Sequence, residues 1–251
     1  MDRLHCGQAS PNLAFVPTVA PMPESWLTPI DNYCERLVPG FWAEPLNAVS
    51  NGAFIAVALY ALVLWRRAKN QDWLSLWLIS VAFIVGVGSF LFHTFANRWS
   101  LLADVLPIAL FIYSYFLLAM RRYLRLGWGT AVAVTVIFAT FNMSFARLWL
   151  AAFPGVTLNG SIGYIPAALA MLAVGVLCFV REAREPGRAL LAAAGLFALS
   201  LLFRSVDAVA CPALPVGTHF LWHFLNALVL GLLMRAAILH AYRRRLTHAP
   251  G

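Results

Sequence analysis

Four ionisable residues lie within or at the edges of the most apolar stretches of the chain: His93, Asp104, His219 and His223. His219 and His223 are four residues apart in THFLWHF, so on a helix both imidazoles project from one face. His93 and Asp104 come from two other apolar stretches and can supply the further ligation that a metal needs. Three imidazoles around zinc leave the fourth tetrahedral position for water, whose pKa zinc lowers to about 7. The sequence therefore predicts a catalytic zinc site made of the three histidines.

Two further side chains are predicted to act beside the metal. Asp104 could orient the water or take its proton, which is the usual task of a carboxylate next to such a site. Ser89 is four residues before His93, so its hydroxyl projects from the same helix face and could hydrogen-bond the water or an oxyanion. The alternative is that each histidine is an interfacial or core residue, because HxxxH alone is a weak motif. If the apolar stretches cross a bilayer, His93, Asp104, His219 and His223 all lie at the same depth, which favours the metal site. Ionisable groups in a bilayer are costly and tend to mark function.

The elements that must position these residues are predicted to be membrane helices. Apolar residues make up 62% of the 251 residues and charged residues 11%, and the mean hydropathy is +0.78, more than a soluble domain needs. Backbone groups in lipid must be paired within their own segment, so apolar stretches should be helices. We predict an all-α integral membrane protein with a seven-helix transmembrane bundle. The stretches long enough to span a bilayer are Leu46–Trp65, Trp73–Phe92, Leu101–Met120, Thr130–Trp149, Ile162–Val180, Ala189–Ala210 and Val216–His240.

Basic residues between the spans predict the orientation. Four clusters of basic residues follow the first, third, fifth and seventh spans, whereas the loops between them carry few basic residues. The positive-inside rule therefore places the N-terminus outside and the C-terminus in the cytoplasm. The four ionisable residues then share the outer end. The net charge of +8 is spread over four loops, which favours anionic lipid headgroups over nucleic acid as the counter-surface. The basic clusters are Arg66, Arg67 and Lys69; Arg121, Arg122 and Arg125; Arg181, Arg184 and Arg188; and Arg243, Arg244 and Arg245.

The chain is predicted to form one transmembrane domain, residues 31–245. Residues 1–30 hold five prolines and no long apolar core behind a basic end, so they are interpreted as an extended or disordered leader rather than a signal peptide. Residues 246–251 form a short C-terminal tail. No protein partner is indicated by the sequence. The short loops and minimal tail suit a bacterial inner membrane or an organelle membrane.

Three blocks of sequence resemble the alkaline ceramidase family, part of a superfamily of seven-span hydrolases that also includes progestin and adipoQ receptors. They are YCER with EPLNAVSN, GVGSFLFHT with the later Asp104, and FRSVDAVAC with THFLWH. The resemblance implies that His93, His219 and His223 hold a catalytic zinc, with Ser89 and Asp104 beside the bound water. It also implies a lipid substrate, ceramide, whose amide is hydrolysed to a sphingoid base and a fatty acid.

The resemblance further implies a calcium site near the N-terminus. Animal alkaline ceramidases bind calcium there through acidic and amide groups, and Asp31, Glu35 and Glu44 are the acids available in this chain. The run departs from the family pattern at Asn32 and Leu37, and Arg36 adds an unfavourable charge. Two interpretations therefore stay open: these acids bind calcium, or they cap the first helix and form local salt bridges.

The resemblance also implies a disulfide between Cys34 and Cys211, which would tie the leader to the end of the sixth helix. Cys6 and Cys178 have no obvious partner. Arg204 and Asp207, three residues apart, are expected to pair with each other or with neighbours, because an unpaired charge in a membrane helix is expensive.

The sequence leaves two alternatives to a ceramidase open. One is a seven-span receptor or structural protein in which zinc holds three helices together without turnover. The presence of both Ser89 and Asp104 favours the enzyme, since a purely structural site is closed by a fourth ligand. The other alternative keeps the hydrolase and replaces ceramide with another N-acyl lipid.

Overall fold

The computed structural model describes residues 25–68 and 72–248. Every regular element in those residues is helical. The helices are α1 (Pro45–Ser50), α2 (Gly52–Arg67), α3 (Trp73–Phe95), α4 (Arg98–Arg122), α5 (Trp128–Ala152), α6 (Ile165–Val180), α7 (Arg184–Ala210) and α8 (His219–His248), with a 3₁₀ segment, Leu158–Tyr164, before α6. Most of the predicted leader, residues 1–24, lies outside the described residues, as do Cys6, Lys69 and residues 249–251 of the predicted tail.

These elements form seven helical spans of 23 to 27 residues that are long and apolar enough to cross a bilayer. Helices α1 and α2 together form the first span, and the 3₁₀ segment and α6 together form the fifth. Each span overlaps one predicted stretch, so the prediction of an all-α fold with seven helices long and apolar enough to span a bilayer is confirmed. The orientation of the termini stays a prediction. Helix α4 begins at Arg98, three residues before the predicted start, because Asn97 caps it. The Asn97 side chain accepts from the Ser100 N–H at 3.2 Å, and Ser100 Oγ accepts from the Asn97 N–H at 3.1 Å.

The tight connection between α3 and α4 brings the end of one helix against the start of the next. Ala96 adopts a left-handed conformation, φ 42°, which ends α3 one residue before the Asn97 cap. Gly88 lets the two helices approach closely, since a Cβ there would lie 1.9 Å from the Ala103 carbonyl oxygen. This contact sets Ser89 on α3 directly against Asp104 on α4.

The basic ends of the helices meet at the opposite side of the bundle. There Asp72 caps α3 by accepting from the Ser75 N–H at 3.2 Å, and Arg122 Nη1 donates to its carboxylate at 2.7 Å. Burial alone would raise the pKa of Asp72, but hydrogen bonds from Arg122 and Ser75 outweigh it and hold that pKa below its usual value. Arg243 pairs with Glu185 across the ends of α8 and α7.

Candidate metal centre

Three histidines converge at the end of the bundle where α3 stops and α8 starts. His93 lies near the end of α3, while His219 and His223 occupy the first two turns of α8. Their ring centroids are 4.6 to 5.2 Å apart, and each ring offers one nitrogen such that the three atoms lie within 4.8 Å of one another. All three side chains are about 1% exposed. Among the residues that the structure describes, this is the one group of three or more His, Cys, Asp or Glu residues so arranged.

Two of the three histidine rings are held in orientation by a hydrogen bond at Nδ1. His93 Nδ1 lies 2.6 Å from Glu44 Oε2, and His223 Nδ1 lies 2.7 Å from Ser50 Oγ. Metal-ligating histidines characteristically use the second ring nitrogen in this way, because the bond fixes ring orientation and tautomer. In the described part of the chain, His93 Nε2 and His219 Nδ1 are buried with no hydrogen-bond partner. Buried nitrogens left without partners are costly, so this donor set fits a bound metal ion.

Asp104 and Ser89 lie together beside the triad. The Ser89 hydroxyl on α3 lies next to the Asp104 carboxylate on α4, and both side chains are buried. Asp104 Oδ1 is buried and, within residues 25–68 and 72–248, has no hydrogen-bond partner. This carboxylate oxygen is therefore available to a water molecule or a substrate group.

Asp207 fixes the start of α8, which carries two of the histidines. Its side chain is fully buried, and Oδ1 accepts from the N–H groups of Thr218 and His219 at 2.6 and 2.9 Å. Oδ2 accepts from the Cys34 N–H at 3.1 Å. Gly217 is required for this approach, because its φ is +65° and a Cβ would lie 2.2 Å from Asp207 Oδ1. The carboxylate therefore holds the N-terminal segment and the first turn of α8 in one arrangement.

Tyr33 forms part of the wall of the centre. Its ring stacks on His219 with a centroid separation of 3.7 Å, and its hydroxyl accepts from Arg204 Nη1 at 2.9 Å. Burial raises the pKa of Tyr33 well above its ordinary value, although the Arg204 guanidinium opposes this, so the hydroxyl stays protonated. Arg204 also lies over the rings of Tyr164 and Trp222, 5.5 and 5.2 Å from their centroids. Arg204 and Asp207 thus bind neighbouring groups, the second of the two expected pairings.

Cys34 and Cys211 form a disulfide across 177 residues, and Cys178 is a buried free thiol on α6. The bond joins the segment before α1 to the end of α7, next to Asp207. Ile30 adds a second attachment, because its N–H donates to the Ala96 carbonyl at 2.7 Å. The segment 25–44 is therefore fixed across the end of the bundle that contains the histidines.

A family model described as Ceramidase matches residues 28–246 of the chain. The chain belongs to the ceramidase family. The resemblance seen in the sequence is thereby confirmed, and family membership implies a hydrolase that acts on an amide and takes a lipid substrate. Among curated proteins, no sequence match was found.

In this ceramidase-family protein a largely apolar cavity lies one helical turn below the site. The lining residues nearest to the site are Val85, four residues before Ser89; Ile108, four after Asp104; and Asn226, three after His223. From there the cavity extends along α4 to Ala119 and along α8 to Leu233. Ile108 and Ala119 are eleven residues apart on α4, which corresponds to about 16 Å, and Asn226 and Leu233 are seven residues apart on α8, about 10 Å. The length and apolar lining of the cavity suit an extended acyl chain.

The three acids near the N-terminus fit a calcium ion poorly. Both Glu35 oxygens accept backbone N–H groups, from Leu46 at 2.6 Å and Asn47 at 2.8 Å. Glu44 Oε1 accepts from Arg36, Glu44 Oε2 faces His93, and Asp31 is exposed. In the described residues these acids do not form a group with carboxylate oxygens within 4.8 Å of one another. Calcium prefers six to eight oxygen ligands, and these acids leave too few free oxygens to supply them.

Tyr33, Ser50 and Asp207 were not assigned to the site from the sequence. Tyr33 and Asp207 lie inside the blocks that resemble the family, so the blocks marked their neighbourhood without giving a role. Ser50 follows Asn47 in the short helix before α2, and only the packing of that helix against α8 shows that it meets His223.

Proposed function

We propose that this protein is a zinc-dependent membrane amide hydrolase that cleaves ceramide, or a related N-acyl lipid, to a sphingoid base and a fatty acid. The observation that carries the proposal is the convergence of three buried histidines beside Ser89 and Asp104. Among the described residues, two of these histidines have a buried ring nitrogen without a hydrogen-bond partner. The apolar cavity beginning one turn below supports a substrate with a long hydrocarbon chain.

His93, His219 and His223 would hold the zinc, since all three are buried and converge. When bound, zinc supplies a Lewis acid for the amide carbonyl and makes a coordinated water a nucleophile near neutral pH. Asp104 accepts the proton of the attacking water at Oδ1, while the water oxygen forms a bond to the carbonyl carbon. Asp104 then gives that proton to the amide nitrogen as the C–N bond breaks, so that the amine leaves uncharged.

Ser89 keeps the Asp104 carboxylate in position, because its hydroxyl is placed to donate to that carboxylate. Released from that bond, it could instead donate to the carbonyl oxygen as negative charge develops there. Tyr33 and Trp222 exclude water around His219, against which both rings stack.

The test is a hydrolysis screen on purified full-length protein reconstituted in lipid vesicles. Ceramide and other N-acyl lipids are supplied in water enriched in oxygen-18, and both products are measured by mass spectrometry. The proposal predicts equal amounts of amine and fatty acid, with one labelled oxygen in the acid. The His93→Ala variant should give no product. His240→Ala, a histidine on α8 about 25 Å beyond His223 by helical rise, should retain turnover.

A protein that contains its metal and releases no product from any N-acyl lipid would contradict the proposal. That result would favour the receptor or structural alternative. Product from another N-acyl lipid but not from ceramide would keep the hydrolase and replace the substrate.

A further inference from the structure

A buried arginine lies between the N-terminal segment and the candidate metal centre. Arg36 Nε donates to Glu44 Oε1 at 2.6 Å, and the two side chains are only 8% and 3% exposed. The other guanidinium nitrogens reach backbone carbonyls, Nη1 to Gly40 and Nη2 to His93, each at 3.4 Å. Arg36 therefore joins the segment before α1 to the end of α3.

Glu44 passes this contact on to a histidine of the triad. Its second oxygen, Oε2, lies 2.6 Å from His93 Nδ1 and 3.3 Å from Asn47 Nδ2. Arg36 thus holds His93 twice: through Glu44 at the ring and directly at the backbone carbonyl. An arginine to carboxylate bond of this kind is charge-assisted and stronger than a bond between neutral groups.

The position of Arg36 matters because the resemblance implies a calcium site in this segment, with Glu44 among the expected ligands. A cation there would compensate the buried Glu44 carboxylate and tie the segment to the bundle. The guanidinium of Arg36 already does both, and it is always charged. The Glu35 carboxylate, another expected ligand, is occupied by the first N–H groups of α1. A divalent ion would have to displace these contacts and approach a fixed positive charge.

We propose that Arg36 replaces calcium in this protein: its guanidinium supplies the positive charge that positions Glu44 and, through it, His93, so the protein needs no calcium. Arg36 is a positioning residue and does not touch the substrate. The activity part of this inference rests on the proposed function, whereas the calcium part does not.

The first test measures the response to calcium by thermal unfolding and calorimetry. Full-length zinc-loaded protein is compared in resin-treated, calcium-free buffer and in the same buffer with millimolar Ca²⁺, because chelators would also remove zinc. We expect the native protein to show no shift of melting temperature and no calorimetric binding. In Arg36→Gln the buried Glu44 loses its cation, so we expect a lower melting temperature that Ca²⁺ raises. Calcium binding to the native protein would overturn the proposal, whether or not any lipid is hydrolysed.

The second test asks whether Arg36 acts on the metal site. The visible absorption of cobalt-substituted protein reports the ligand geometry, so it should change in Arg36→Gln and be largely restored in Arg36→Lys, which keeps the charge. Zinc affinity should fall about 10- to 100-fold in Arg36→Gln, the usual effect of losing a group that orients a ligand. Arg147→Gln, an exposed arginine at the same end of the bundle, is the matched control and should change neither. An unaltered cobalt spectrum and zinc affinity in Arg36→Gln would refute the positioning role.

Discussion

Removing the Asp207 carboxylate should loosen the candidate metal centre while leaving its three histidine side chains in the sequence. Asp207→Ala leaves three buried N–H groups, those of Cys34, Thr218 and His219, without their acceptor. Each such group costs about 1–3 kcal/mol, so the change should lower the free energy of unfolding by at least about 3 kcal/mol. For a chain of this size that corresponds to a fall in melting temperature of roughly 6–12 °C.

The Asn variant separates the three bonds. Asp207→Asn can keep the acceptor for Thr218 and His219 but places an amide N–H against the Cys34 N–H, so it should cost about 1–3 kcal/mol, less than Asp207→Ala. Because His219 begins α8 at this contact, zinc content should fall in Asp207→Ala and be better retained in Asp207→Asn. Thermal unfolding in detergent and elemental analysis of the purified variants measure both effects.

Asp72→Ala is the matched control for this experiment. Asp72 is also an acid that caps a helix, but it lies at the opposite end of the bundle. Its loss should lower the melting temperature and leave the zinc content unchanged. An Asp207→Ala protein with native melting temperature and full zinc would refute the role assigned to this carboxylate, and equal effects of Ala and Asn would refute the count of hydrogen bonds.

Three other perturbations test separate parts of the structure. Asp104→Asn and Ser89→Ala should each retain zinc and lower turnover about a hundredfold or more, because the first removes a proton acceptor and the second an oxyanion donor. Unchanged turnover in both variants would indicate a site without catalysis, and loss of zinc in Asp104→Asn would indicate that Asp104 is a fourth ligand. Replacing Cys34 and Cys211 by Ser should lower the free energy of unfolding by about 2–5 kcal/mol. Peptide mapping of the native protein without reductant should recover the two cysteine peptides joined by a disulfide, and a free thiol at either position would contradict the bond. Asp72 has a pKa below its usual value in the folded protein, so its contribution to stability is present above about pH 4 and is lost as the pH falls through the folded pKa. Asp72→Asn should remove this loss of stability in acid, as measured by unfolding curves at several pH values. An unchanged pH profile in Asp72→Asn would argue against this role of Asp72.

The spans and the histidine site could be predicted from the sequence because both depend on local patterns. Apolar length marks each span, and the spacing of His219 and His223 places them on one face of a helix. Successive spans cross the membrane in opposite directions, so counting them shows that His93 and Asp104 lie at the same end of the bundle as His219 and His223. These steps need no knowledge of how the helices pack.

The surroundings of the site could not be predicted in this way, because they depend on contacts between distant residues. Asp207 meets Cys34 across 173 residues, and Ser50 meets His223 across the same separation. Arg36 stands in a segment without helical or strand periodicity, so the sequence showed only an additional charge among acids. Its pairing with Glu44 became visible when the segment was seen folded against the end of α3.

Titrating metal-free protein with zinc while recording ceramide turnover tests the proposed function most directly. The proposal predicts no turnover without metal, a rise in proportion to bound zinc, and saturation at about one zinc per chain, as one three-histidine site requires. His219→Ala should stay inactive at every zinc concentration. Turnover that is independent of bound metal, or one bound zinc with no hydrolysis of any N-acyl lipid, would contradict the assignment of this protein as a zinc-dependent amide hydrolase.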